Sequence, residues 1–207
     1  RVYLLDPFSS RVVFVFSKNG HFINKTKVGR GPKEMVNPFA FSIEKNEEKV
    51  LIYDQGKGAI LEYDLDLNYV STKPYKGAPI LEFAKIAKNQ LLVRSHYSQD
   101  YAFTLYNDNE KIVPKKYVKD FKYSTVQGIF RSISTSKRTL LISSFDYTVY
   151  ELLDNILYKR YYFNFGDYNI KEEDVKKLGF AGASKLITKG KKVSAPHEIA
   201  ESNNYVL

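Results

Sequence analysis

The chain has 207 residues, 43% of them hydrophobic and 27% charged, a balance that suits a packed core and excludes a disordered polymer. It has no cysteine, which excludes disulfides, thiolate metal sites and cysteine nucleophiles, and its longest apolar runs fall far short of the roughly 20 residues of a spanning helix. The formal net charge of +9 favours acidic partners but does not choose among nucleic acid, acidic glycans and anionic membranes.

The 17 Tyr and 14 Phe alternate with Val, Ile and Thr in short runs, the pattern of half-buried strands. A first run, 2–6, closes on Asp6 and leads through a polar loop to a second, 11–16, which is a hairpin signature. The turn Lys18-Asn19-Gly20 then leads into a third run, 21–28. A fourth run, 39–44, opens the next unit, and the rhythm repeats: 50–54 and 59–63, then 80–87, 90–94 and 102–106, then 126–134, 139–143, 148–152 and 156–165. Corresponding strands recur about every 40 to 50 residues, the period of propeller blades, each a small antiparallel sheet of four strands. The fold expected is an all-β propeller forming one domain, 1–207, with about four blades covered here. A β-sandwich or barrel with similar hairpins is the competing architecture.

Past 165 the period-two alternation stops. Asn169 reads as an N-cap with Glu172 completing a capping box, and Gly179 reads as a terminator, so a short inserted helix is expected near 170–178. A weak strand signal follows at 184–188. The first unit lacks its innermost strand and 204–207 falls inside the second strand of a fifth, so the propeller is expected to be incomplete at both ends. A closed four-bladed ring is the alternative.

The run Gly29-Arg30-Gly31-Pro32-Lys33-Glu34, placed after the strand and Lys18-Asn19-Gly20-His21-Phe22 turn, resembles the blade junction of the six-bladed, NHL-like β-propellers of Bacteroidetes. That junction carries G-[RQ]-G-P-x-E and leads to a strand closing on Asp, matched here by Tyr53-Asp54. The likeness is specific over 2–70. Beyond residue 80 it rests on strand rhythm alone, since Arg94 and Ser143 replace the strand-end Asp. It implies a ring of six blades and a place in the periplasm or on the cell surface, often through a lipid anchor. It implies no established activity.

In such a blade the loop between second and third strands and the loop to the next blade emerge on one face. That face should gather 29–34, 6–10, 54–58, 94–97 and 144–146. Arg30, Lys33, Glu34, Arg94, His96 and Arg131 are the candidate ligand-binding residues, with Lys85 and Arg131 placed on innermost strands that line the channel. Two readings of 29–34 compete: an anion seat made by glycine-freed backbone N–H groups, and an architectural turn in which Glu34 accepts hydrogen bonds from loop amides. Asp6 and Asp54 are expected to stabilise turns in the same way. His21, His96 and His197 share no metal-like spacing, and no nucleophile-elbow or zinc-protease pattern occurs, so no cofactor, metal or catalytic residue is assigned.

The basic stretches 115–123 and 189–192 suit either phosphate contacts or lysines on an exposed edge strand, and the edge reading is preferred. The expectation is a non-catalytic binding or scaffolding module of the bacterial cell envelope. Its partner is a protein or glycan at the channel mouth, and a membrane is met only through an anchor outside these residues. A hydrolase or lyase acting on an acidic polysaccharide is the alternative, and nucleic-acid binding the second.

Overall fold

The computed structural model describes residues 1–44, 47–87, 89–95, 101–107, 115–119, 133–135, 138–142 and 147–193. Fifteen strands among these residues belong to four small antiparallel sheets. Contacts divide the chain into two compact units, 1–96 and 97–207.

The first unit opens with a three-stranded sheet: β1 (Val2–Asp6), β2 (Val12–Phe16) and β3 (Phe22–Lys25), in that order. The expected third run, 21–28, is shorter than the sequence suggested. Its end leaves the sheet, and Val28 forms an isolated parallel bridge with Met35. The second sheet has the order β4 (Pro38–Glu44), β5 (Lys49–Asp54), β6 (Ala59–Asp64), β7 (Tyr69–Pro74). Next comes the hairpin of β8 (Ile80–Ala87) and β9 (Gln90–Ser95).

Alternation in these strands serves two packing faces. Val50, Ile52, Ala59, Leu61 and Tyr63 of the second sheet bury themselves against Val13 and Val15 of β2 and against Met35, with Tyr3, Leu5 and Phe41 at the margin. On the opposite face of the second sheet Leu51, Tyr53 and Ile60 are buried as well. The Tyr53 hydroxyl meets the backbone of Ile80, and β4 lies against β8. A sheet covered on both sides needs apolar residues at odd and even positions alike, which is why β5 and β6 read as nearly continuous hydrophobic runs.

The second unit contains the hairpin of β10 (Tyr101–Asn107) and β11 (Lys115–Lys119), and a sheet in the order β12 (Ile133–Thr135), β13 (Arg138–Ile142), β14 (Thr148–Leu153), β15 (Ile156–Tyr162). Leu140, Ile142 and Val149 form its core, bordered by Tyr161 and Phe163. Asp154 and Asn155 both take positive φ, 50° and 61°, as a two-residue hairpin turn matched to strand twist requires. β11 lies at an edge of its sheet, as expected for the first basic stretch.

Two expectations for the tail of this unit are corrected. The helix α1 (Glu172–Thr188) begins after Lys171, not Asn169, and the Lys171 N–H donates to Asp174 Oδ2 at 3.0 Å. Asn169 instead folds back to accept from the Phe165 N–H at 2.9 Å. The 184–188 segment read as a weak strand is helical, the second of two helical segments within α1. Gly179, with φ 66° and ψ 176°, ends the first of them, as its terminator signal led one to expect. An apolar pattern of a few residues fits either period, and here Ala183 and Ile187 pack on Ile170 and Val175 at helical spacing.

Candidate functional site

The 29–34 junction connects β3 to β4, and its geometry follows from one carboxylate. The Gly31 N–H donates to Glu34 Oε2 at 2.8 Å, and the Glu34 N–H donates to the Gly31 carbonyl at 3.1 Å. Gly29 has φ +155°, and a Cβ there would overlap the Glu34 carboxylate. At Gly31 a Cβ would also press on that carboxylate, at 3.0 Å. The glycines are therefore required because Glu34 lies across them. The seat that the sequence offered to an external anion holds the loop's own side chain.

Two further contacts join this loop to the β5–β6 turn. Asp54, fully buried, accepts from the N–H groups of Val36 (2.7 Å), Asn37 (3.0 Å) and Lys57 (3.2 Å). Lys57 Nζ donates to the Gly31 carbonyl at 2.6 Å. The expected convergence of 29–34 with 54–58 is thus present. Asp6 plays the corresponding part in the β1–β2 turn, accepting from the N–H groups of Phe8, Ser9 and Ser10 and from the Ser10 hydroxyl. These bonds, those from Ser10 and Ser9 foremost, hold its carboxyl down at about 2.

Asp64 repeats the device at the other end of the second sheet, bonded by Asp66 N–H, Asn68 N–H and the Asn68 side chain. Burial pushes its carboxyl up, and these three bonds outweigh it, leaving the group below its ordinary value. The Asp-x-Asp-x-Asn spacing at 64–68 is the signal that would have singled this residue out.

Among the candidate ligand contacts, Arg30 and Lys33 are exposed on the junction, and the Lys33 ammonium lies 5.9 Å from the centre of the Tyr69 ring. Glu34 is engaged within the loop. Arg94, half-buried near the end of β9, stands opposite Glu82 of β8. His96 and Arg131 lie outside the described residues. Lys85, expected on an innermost strand, is on β8, and both oxygens of Glu47 accept from its ammonium, at 2.6 and 2.7 Å. Glu47 also lies 3.7 Å from Lys49, and Glu62 beside Lys49 and Lys73 continues this alternation of charge across the second sheet.

In the second unit the sequence reading missed Tyr147. Its hydroxyl donates to the Val193 carbonyl and accepts from the Ile170 N–H, both at 2.7 Å, and Lys192 Nζ donates to the carbonyls of Asp167 and Asn169. One basic residue of the 189–192 stretch is therefore a structural clasp for the helical segment. Among the described residues no three His, Asp or Glu side chains converge as metal ligands, and no helix is long and apolar enough to cross a membrane.

A family model described as a domain of unknown function, DUF4934, matches residues 2–207. No curated protein matches the chain. Among solved structures, a "putative exported protein" of Bacteroides fragilis matches with TM-score 0.76 at 17% identity, over 97% of this chain and 59% of its own. The present chain therefore spans less than two thirds of that protein, with which it shares its fold. Streptogramin B lyase matches with TM-score 0.47 at 9% identity, over 77% of this chain and 50% of its own. The C-terminal WD40 domain of Sif2 gives 0.37 at 13% identity, over 70% and 38%.

Proposed function

The chain belongs to the DUF4934 family, and on that premise we propose that it is part of a six-bladed β-propeller serving as a non-catalytic binding or scaffolding module outside the cytoplasm. The propeller reading is supported by sheets of one strand order recurring along the chain, and by first strands β4 and β8 lying together as strands near a common axis do. Likeness in fold to a Bacteroides protein described as exported supports the compartment.

The observation that carries the binding reading is the use of carboxylates on the loop face. Glu34, Asp54 and Asp6 each accept backbone N–H bonds, and none is arranged as a free acid or base. A glycoside hydrolase needs two carboxyl groups flanking one bond, one of them raised toward neutrality. Glu44 is displaced upward, but by burial at the far end of β4, away from the loop face, where Ser42 and Lys85 hold it. What the loop face offers instead is cationic: Arg30 and Lys33, with Arg94, His96 and Arg131 as the further contacts of the proposal. An acidic glycan or an acidic protein surface fits that chemistry.

Calorimetric titration of the full-length product with acidic and neutral polysaccharides tests it. Binding of the acidic series should weaken about tenfold in Arg30→Ala/Lys33→Ala and fall with added salt. Turnover of a glycan, lactone or ester, or acidic-ligand affinity indifferent to those substitutions, would overturn the reading.

A further inference from the structure

The first sheet has two faces of different fate. Tyr3, Leu5, Val13 and Val15 are turned to the second sheet and lie in or against its core. The other face presents Val2, Leu4, Phe14, Phe16 and Phe22, paired across the strands as Val2 with Phe16, Leu4 with Phe14, and Phe16 with Phe22. The three phenylalanines form a continuous ring contact, with centroids 6.3 and 6.0 Å apart. Val2, Leu4 and Phe22 are 53%, 56% and 58% exposed. Beside this face, β1 pairs with β2 alone among the described strands and leaves its other edge open.

Equivalent positions in the second sheet show what such a face is for. Val50 and Ile52 stand where Val2 and Leu4 stand in the motif, and Leu61 and Tyr63 where Phe14 and Phe16 stand. All four are buried, against the Tyr3, Leu5, Val13 and Val15 side of the preceding sheet. The repeated interface is therefore heterologous, joining one kind of face to the other kind.

We propose that the outer face of the first sheet, with the open edge of β1, is an interface covered by a further antiparallel sheet of the same polypeptide, contributed by residues outside 1–207. A second copy of residues 1–96 is a poor occupant, because its complementary face is already buried by its own second sheet. The greater length of the structural relative favours a sheet in cis, since that protein is matched over 97% of this chain but is itself covered over only 59%. The inference rests on the propeller reading and fixes which surface the rest of the ring meets.

Single-cysteine reporters test it cleanly, because residues 1–207 contain no cysteine. In the full-length product, freed of any cysteine elsewhere, Leu4→Cys, Phe22→Cys and the size-conserving Val2→Cys are compared with Lys18→Cys in an exposed turn. Maleimide labelling of the three reporters should be slower than at Lys18→Cys by roughly tenfold or more, and unchanged on dilution. Circular dichroism identifies any reporter that fails to fold, and Val2→Cys carries the test if the larger residues do not tolerate replacement. Labelling as fast as at Lys18→Cys would overturn the proposal. Protection that vanishes on dilution would assign the face to a second copy, and protection gained only on adding another protein would assign it to a partner, either of which also overturns it. Loss of glycan binding leaves the labelling pattern untouched, so the two proposals fail separately.

Discussion

β1 and β5 carry nearly the same message, Val-Tyr-Leu-Leu-Asp and Val-Leu-Ile-Tyr-Asp, yet β5 is almost wholly buried and β1 is half exposed. Both strands alternate correctly, both end on an aspartate that fastens the following turn, and both pair with the strand after them. What differs is the neighbour. β5 lies in a sheet packed on both sides, whereas β1 lies in a sheet packed on one. The comparison teaches that a repeated strand specifies a face able to be buried, and that burial itself is conferred by the adjacent copy.

The largest break in that comparison should come from the buried side. Leu61→Ala removes a side chain with no exposed surface from the core between the first two sheets, and should lower stability by about 2–5 kcal/mol in denaturant titration. Leu4→Ala in residues 1–207 alone should cost no more than about 0.5 kcal/mol, as at an exposed site. In the full-length product the same change should approach the cost of Leu61→Ala; equal small costs in both proteins would remove the covered-face inference.

The two aspartates sharpen the comparison next. Asp54→Ala strips acceptors from three N–H groups around a buried carboxylate and should cost about 3 kcal/mol. Asp6→Ala leaves its donors open to water and should cost less, measured in the same titration. Gly29→Ala should follow at about 1–3 kcal/mol, because its φ is strained for any L-residue and the new Cβ meets Glu34. Adding Glu34→Ala should recover only the second part, so a double-mutant cycle with no coupling would contradict the packing described.

The smallest effect is a matter of pH. The Asp6 carboxyl sits at about 2 in the folded chain and near 3.9 when unfolded, so its contribution is complete above about pH 4 and is lost as pH falls through 2. Asp6→Asn should flatten the decline of the thermal midpoint over that window, leaving a remainder of the same sign from Asp64. Wild type and variant falling in parallel would mean that the Asp6 bonds do not form in solution.

Strand positions were legible because alternation is local: β1, β2, β5, β6, β8, β9 and β14 lie where the runs of apolar and polar residues put them. The start of the helical segment was not. Asn169 carries a strong local signal for a cap but is drawn back to Phe165, whereas Gly179 does stop the first helical segment; helix resumes beyond it because Ala183 and Ile187 have partners on the other side of the break. At the candidate site the motif announced a tight turn, and its glycines and Glu34 suited both an anion seat and a self-closed loop. Only the folded loop separates these, because the choice depends on where one carboxylate points. Tyr147 and Lys57 were illegible for a related reason: each acts on groups far along the chain.

By itself the sequence determined the strand rhythm, the turn residues and the aspartates that close the turns, since each depends on dihedral preferences and hydrogen bonds within a few residues. The tertiary structure alone decided which apolar faces are buried, that the glycine-rich junction is filled by Glu34, and that the tail is a broken helix clasped by Tyr147 and Lys192. Burial and long-range bonding belong to pairs of surfaces, and a strand carries only its own half of each pair.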